Sequence, residues 1–159
     1  MALKKVPELK LKIELVPETS WYENLRKKMR KKDWDNLRHE VYTKYINRCG
    51  ICDASGRLNC HEIWEYDDQN NIQKLKGFIA LCDMCHHVKH FGLAQILANE
   101  GKLDLDQVIQ YFMNVNNCSI SVFNKHRRES FEQWRERSSH KWQIDLGEYQ
   151  NLFEPIATN

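Results

Sequence analysis

A chain of 159 residues, 42% hydrophobic and 29% charged, fits one compact domain or a small core with helical additions, and needs no second full-sized domain. Its net charge of +2 is too small to mark a nucleic-acid binder by charge alone. No apolar run approaches the roughly 18 residues of a membrane span and the first residues lack the apolar stretch of a signal peptide, so the expectation is a cytoplasmic protein that contacts no membrane. In that reducing compartment the six cysteines are not expected to form a disulfide framework.

In chain order, Leu9, Leu11, Ile13 and Leu15 alternate with Lys10, Lys12 and Glu14 between Pro7 and Pro17, the period-two pattern of a half-buried strand. Trp142, Ile144 and Leu146 alternate in the same way and are the candidate partner in a terminal antiparallel ribbon. Ser20 with Glu23 forms a capping box that would open a short helix through the basic run. Asp33 would cap a second helix whose apolar stripe is Trp34, Leu37, Val41 and Tyr45. Leu58 to Tyr66 has the residue types of a strand, Asp67 to Asn71 of a turn, and Ile72 to Leu75 of an antiparallel return. His86 to Phe91 reads as a short helix interrupted at Gly92, and Leu93 to Asn99 as another that stops at Gly101. Two more helices are expected over 104–115 and 120–138, divided by Asn116-Asn117 with Ser119 as cap. Trp21, Trp34, Trp64, Trp134 and Trp142 are expected as core anchors, Cys118 as a buried free thiol, and His39 and His87 as surface histidines.

The strongest chemical signal is a pair of CxxC motifs, Cys49/Cys52 and Cys82/Cys85, separated by 29 residues. Each such turn points two sulfurs inward, so four thiolates can meet on one tetrahedral Zn2+ that adds the folding free energy a small, loop-rich core lacks. A thioredoxin-like redox role needs only one CxxC, which makes two pairs a poor fit to it.

Between and beyond the pairs stand Cys60-His61-Glu62-Ile63 and Leu81-Cys82-Asp83-Met84-Cys85-His86, with His90 one helical turn on. This stretch, residues 49–90, resembles the HNH (His-Me finger, ββα-metal) endonucleases braced by two CxxC pairs. The resemblance implies a small zinc-braced α+β fold in which a strand supplies a metal ligand and a histidine base, a loop asparagine orients that base, and a helix histidine completes the metal site. His86 takes the helix-ligand position and His90 could reach the same ion. On the strand two registers are open: His61 as base with Cys60 as ligand, or His61 as ligand with Glu62 as base. Counting back from Cys82, the asparagine position falls on Gly77, so the triad departs from the family pattern there.

Arg26, Lys27, Lys28, Arg30, Lys31 and Lys32 form a dense basic run that could grip phosphates, as could Lys125, Arg127, Arg128, Arg135 and Arg137 further on. Glu62, Glu65, Asp67 and Asp68 would repel phosphate unless a hard cation such as Mg2+ or Mn2+ were bound among them. The expected organisation is residues 1–48 as a strand and basic helices packed on the core, 49–91 as the HNH-like zinc core, and 92–159 as a helical extension, all one unit. Two functions are expected from this: a metal-dependent endonuclease acting on DNA through His61, Glu62 and His86, or a non-catalytic zinc module. The second would bind nucleic acid or a partner protein, as a phage or mobile-element factor acting on a host complex would.

Overall fold

The computed structural model of the chain describes residues 8–21 and 27–153. Its elements are α1 (Lys31–Lys44), β1 (Leu58–Asp67), β2 (Ile72–Cys82), α2 (Asp83–Lys89), α3 (Phe91–Asn99), α4 (Leu105–Asn116), α5 (Ile120–Ser138), β3 (Gln143–Asp145) and a terminal 3-10 turn (Gly147–Leu152). The fold is mixed α+β, with one three-stranded sheet in the order β1-β2-β3.

The β1–β2 hairpin is the centre of the molecule. Its turn is built by Asp67, whose carboxylate accepts the N–H groups of Gln69 and Asn70 at 3.1 and 3.0 Å, and by Asn71 at φ 55°. Strand β2 runs well past the expected end at Leu75, because residues 76–82 continue the ladder until Cys82 faces Leu58. The register slips at Ile63/Trp64, and Gly77 pairs with Ile63 beside that bulge. The position expected to carry a loop asparagine is therefore inside a strand.

Two apolar clusters cover the hairpin. On one side Leu37 and Val41 of α1 pack with Cys60, Leu75, Phe78 and Ala80. On the other, α2, α4 and α5 bury Val88, Val108, Phe112 and Phe123 together with Leu81, Leu11 and Ile13. Helix ends follow local chemistry: Asp104 caps α4 through the N–H groups of Asp106 and Gln107, Ser119 caps α5, and Asn117 in the left-handed region at φ 48° separates them.

The terminal ribbon does not form. Residues 9–17 bend at Lys10 and Leu11 and bury alternate side chains, Leu11 at 0% and Ile13 at 6% exposure, yet among the described residues they join no sheet. Side chains replace the ladder. Asn116 accepts the N–H groups of Lys10 and Leu11 and donates to the Leu11 carbonyl, at 2.7 to 2.9 Å. His126 Nε2 accepts from the Ile13 N–H at 2.9 Å, and Trp134 donates to the Val16 carbonyl at 3.0 Å. Burial lowers the His126 pKa, which suits an imidazole stacked on Phe112 and acting as acceptor. The C-terminal candidate pairs elsewhere: Gln143, Ile144 and Asp145 lie parallel to Ile72, Gln73 and Lys74.

Several local expectations differ from the fold. The helix expected from Ser20 and Glu23 falls largely on residues 22–26, outside the described residues. Lys27 and Lys28 form a turn rather than part of a helix, and α1 starts at Lys31, so Asp33 is a first-turn residue paired to Arg30 at 2.7 Å rather than the cap. Gly92 lies inside α3, and the break falls at His90. Trp21 is 63% exposed and anchors no core, whereas Trp142 is buried. Cys118 is half-buried.

Candidate metal centres

The first CxxC turn, Cys49-Gly50-Ile51-Cys52, docks on the base of the hairpin. The Gly50 N–H donates to the Ala80 carbonyl at 2.8 Å, and the Asp53 N–H closes the turn on the Cys49 carbonyl at 3.0 Å. A Cβ at Gly50 would lie 2.7 Å from the Tyr45 ring and 2.8 Å from Ile79, so only glycine lets the turn approach this closely. The second pair straddles the start of α2, where Cys82 is the N-cap and its sulfur accepts from the Cys85 N–H at 3.4 Å.

Together Cys49, Cys52, Cys82 and Cys85 bring their four sulfurs within 4.8 Å of one another. Cys52 and Cys82 are 3.6 Å apart, close to the ~3.8 Å between ligands of a tetrahedral ion with Zn–S bonds of about 2.3 Å. The cluster can hold a zinc-type ion. The contact between Cys49 and Cys85 lowers the Cys49 pKa and raises that of Cys85. Tyr111 of α4 donates to Cys52 Sγ at 2.9 Å and lies 3.7 Å from Cys82, a hydrogen bond to the sulfurs from outside the four-cysteine group.

A second group lies nearby. His86 and His90, four residues apart, share one face of the helical segment, and β1 presents His61 to them. Ring centroids are 5.6 Å apart for His61/His86, 4.8 Å for His61/His90 and 4.6 Å for His86/His90. One nitrogen from each lies within 4.8 Å of the others, a spacing that can hold an ion. His61 is 4% exposed, and its Nδ1 is buried without a hydrogen-bond partner among the described residues. An unmade hydrogen bond at a buried nitrogen costs about 1–3 kcal/mol, and a lone pair on an imidazole is what a divalent metal takes. The donor set therefore fits a metal ion.

Cys60 is not in this group; it packs with Leu37 and Val41 beneath α1. Glu62 is 6% exposed and lines a cavity of about 140 Å³ with Glu14, His61, Trp64, His90 and Arg137. Burial pushes its carboxyl pKa up to about 7. Asp67 and Asp68 are occupied structurally, Asp67 in the hairpin turn and Asp68 in a two-point pair with Arg137 at 2.8 and 2.9 Å. Arg137 also lies 4.2 Å from the Tyr66 ring, so this cation of the later basic set is committed within the fold. Arg26 lies outside the described residues, while Lys27, Arg30, Lys31 and Lys32 are exposed and Lys28 is half-buried. His39 is exposed and His87 half-buried, both outside the metal-spaced groups.

Three residues at these centres went unseen in the sequence. Glu14, in the extended N-terminal segment, places Oε2 3.6 Å from His61 Nε2 and Oε1 2.7 Å from Lys89 Nζ. Burial alone would raise its pKa, but His61 and Lys89 outweigh that and hold the carboxyl at about 2. Lys89 is 7% exposed, a strong hint only once the fold is known. Tyr111 reads in sequence as one apolar position of an amphipathic helix. No protein-family model, curated protein or solved structure matches the chain. Among the described residues, no helix is long and apolar enough to cross a membrane.

Proposed function

We propose that the protein is a metal-dependent endonuclease of HNH-like design that hydrolyses phosphodiester bonds in DNA. The observation carrying this reading is the convergence of His61, from a hairpin strand, with His86 and His90, from the helix that follows that hairpin. The hairpin-then-helix order and the thiol clamp at its base agree with the resemblance read from residues 49–90.

A bound Mg2+, Mn2+ or comparable divalent ion would supply charge stabilisation at the scissile phosphate and its leaving oxygen. Within the chain, the burial of Cys60 beneath α1 favours the register in which His61 is a ligand. Glu62 then stands in the base position, and a carboxyl with a pKa of about 7 can take a proton from water near neutral pH. A groove of about 460 Å³ lined by Asp35, Arg38, Tyr42, Arg57, Asn59 and His86 would let a phosphate backbone approach His86. The exposed cations at Lys27 and Arg30 to Lys32 would add non-specific grip.

The test is cleavage of supercoiled plasmid and single-stranded DNA with Mg2+, Mn2+ or Ni2+. Wild-type protein should nick the substrate, and His61→Ala and His86→Ala should each lose at least about 100-fold in rate, the scale of a lost acid–base or ligand group. No cleavage by wild type, or cleavage by both variants as fast as wild type, removes the nuclease reading.

A second reading is favoured by Gly77, which lies within β2 and offers no side chain to orient a base. On that reading the protein is a non-catalytic zinc module that binds nucleic acid or a partner protein. Retention of DNA in gel-shift assays without cleavage under any metal supports it.

A further inference from the structure

We infer that Glu14 is a positioning residue of the histidine centre: its carboxylate holds the Nε2–H of His61 and so turns the buried Nδ1 toward the ion. The inference rests on the metal-binding part of the reading above, and it assigns a role to a segment remote from the CxxC and histidine motifs. Three features carry it. Lys89 grips Glu14 twice, since its carbonyl accepts the Glu14 N–H at 3.1 Å and its Nζ donates to Oε1 at 2.7 Å. That leaves Oε2 directed at His61 Nε2, at 3.6 Å, and a shift of under ~1 Å closes the pair to hydrogen-bond distance.

The other ring nitrogen supplies the second feature. His61 Nδ1 is buried and has no hydrogen-bond partner among the described residues, so it is the nitrogen left for coordination. A metal-bound histidine commonly gives its remaining N–H to a carboxylate, which fixes the tautomer and strengthens the ligand. The third feature is how Glu14 is delivered. The segment around it is pinned by Asn116, His126 and Trp134, so the carboxylate is held by the fold rather than by local chain preference. Lys89 keeps the second oxygen engaged and thereby disfavours Glu14 as a direct two-oxygen ligand.

The experiment uses the full chain with 15N-labelled histidine and titrated Zn2+. Wild type should take one tightly held zinc and a second, weaker one that His61→Ala and His86→Ala remove. The His61 signals should report Nε2 protonated and Nδ1 as the unprotonated nitrogen, before and after the second zinc binds. In Glu14→Gln the second zinc should bind about 10–100-fold more weakly, with the first zinc retained and the protein still folded although the loss of the Lys89 ion pair lowers its melting temperature, and Glu14→Asp should recover part of the zinc affinity. A His61 ring protonated on Nδ1, or second-site affinity equal in wild type and Glu14→Gln, overturns the role of Glu14. Absence of any second zinc in wild type instead removes the metal reading, and the His61 tautomer, compared between wild type and Glu14→Gln without that zinc, still decides whether Glu14 positions the ring.

Discussion

The thiol clamp and the histidine centre draw on the same nine residues, 82–90, yet they are assembled over very different distances. Each half of the clamp is a four-residue turn whose geometry is local, and the hairpin needs only to bring two such turns together. The histidine centre takes one histidine from a strand and two from a helical segment, with Glu14 arriving from the far end of the chain. Local construction makes the clamp stiff and legible. Long-range construction makes the histidine centre dependent on everything that seats the N-terminal segment.

The largest effect should come from breaking the clamp. Cys82→Ser removes a thiolate from the clamp while its hydroxyl can still cap α2, and structural zinc sites are worth on the order of 10 kcal/mol to small domains. The variant should lose its zinc by mass spectrometry of the native protein and its cooperative melt by circular dichroism. A folded, zinc-free variant would show that the apolar clusters suffice without the clamp.

Asn116→Ala separates the two regions more finely. It removes three hydrogen bonds to Lys10 and Leu11 and should cost about 1–3 kcal/mol. Hydrogen exchange should quicken at the Leu11 and Ile13 amides while the Cys85 amide stays protected. Equal loss at both places would mean that the two regions open as one unit.

The smallest effect is expected at the hairpin tip. Hydrogen bonding to Arg137 lowers the Asp68 pKa below its ordinary value, so the folded state binds the proton more weakly than the unfolded state. The contribution is present above the unfolded value near 3.8 and is lost as the pH falls through the folded one. Because Asp68 is 58% exposed, Asp68→Asn should cost under ~1 kcal/mol at pH 7, and the difference from wild type should shrink in melts as the pH falls below the unfolded value and through the lowered folded one.

What the sequence made legible follows the same divide. Cysteine spacing, the Ser119 cap and the Asn116-Asn117 break are short-range signals, and each corresponds to a feature of the fold. The alternation at Leu9 to Leu15 correctly marked one buried face but not its bonding partners. Periodicity reports which side chains are covered, whereas an amide is equally satisfied by a strand or by Asn116 and His126. Glu14 read as a polar position in that alternation for the same reason. Trp21 shows the converse, since a large aromatic carries no record of whether a neighbour exists to cover it. The departure from the family pattern at Gly77 was visible as a missing side chain, but its place beside a bulge in β2 depended on strand register.

The bonds that seat the N-terminal segment also impose an order of events. Besides Lys89, which grips Glu14 itself, its partners Asn116, His126, Trp134 and Ser138 lie more than 100 residues further along the chain. During synthesis Glu14 leaves the ribosome early, meets His61 and Lys89 only after the hairpin and α2 exist, and has its flanking residues pinned only once α4 and α5 follow. Contacts of such separation pay their loop-closure entropy late. The clamp can therefore close on a nascent chain ending shortly after Cys85, while the segment carrying Glu14 is fully pinned only when almost the whole protein has been made.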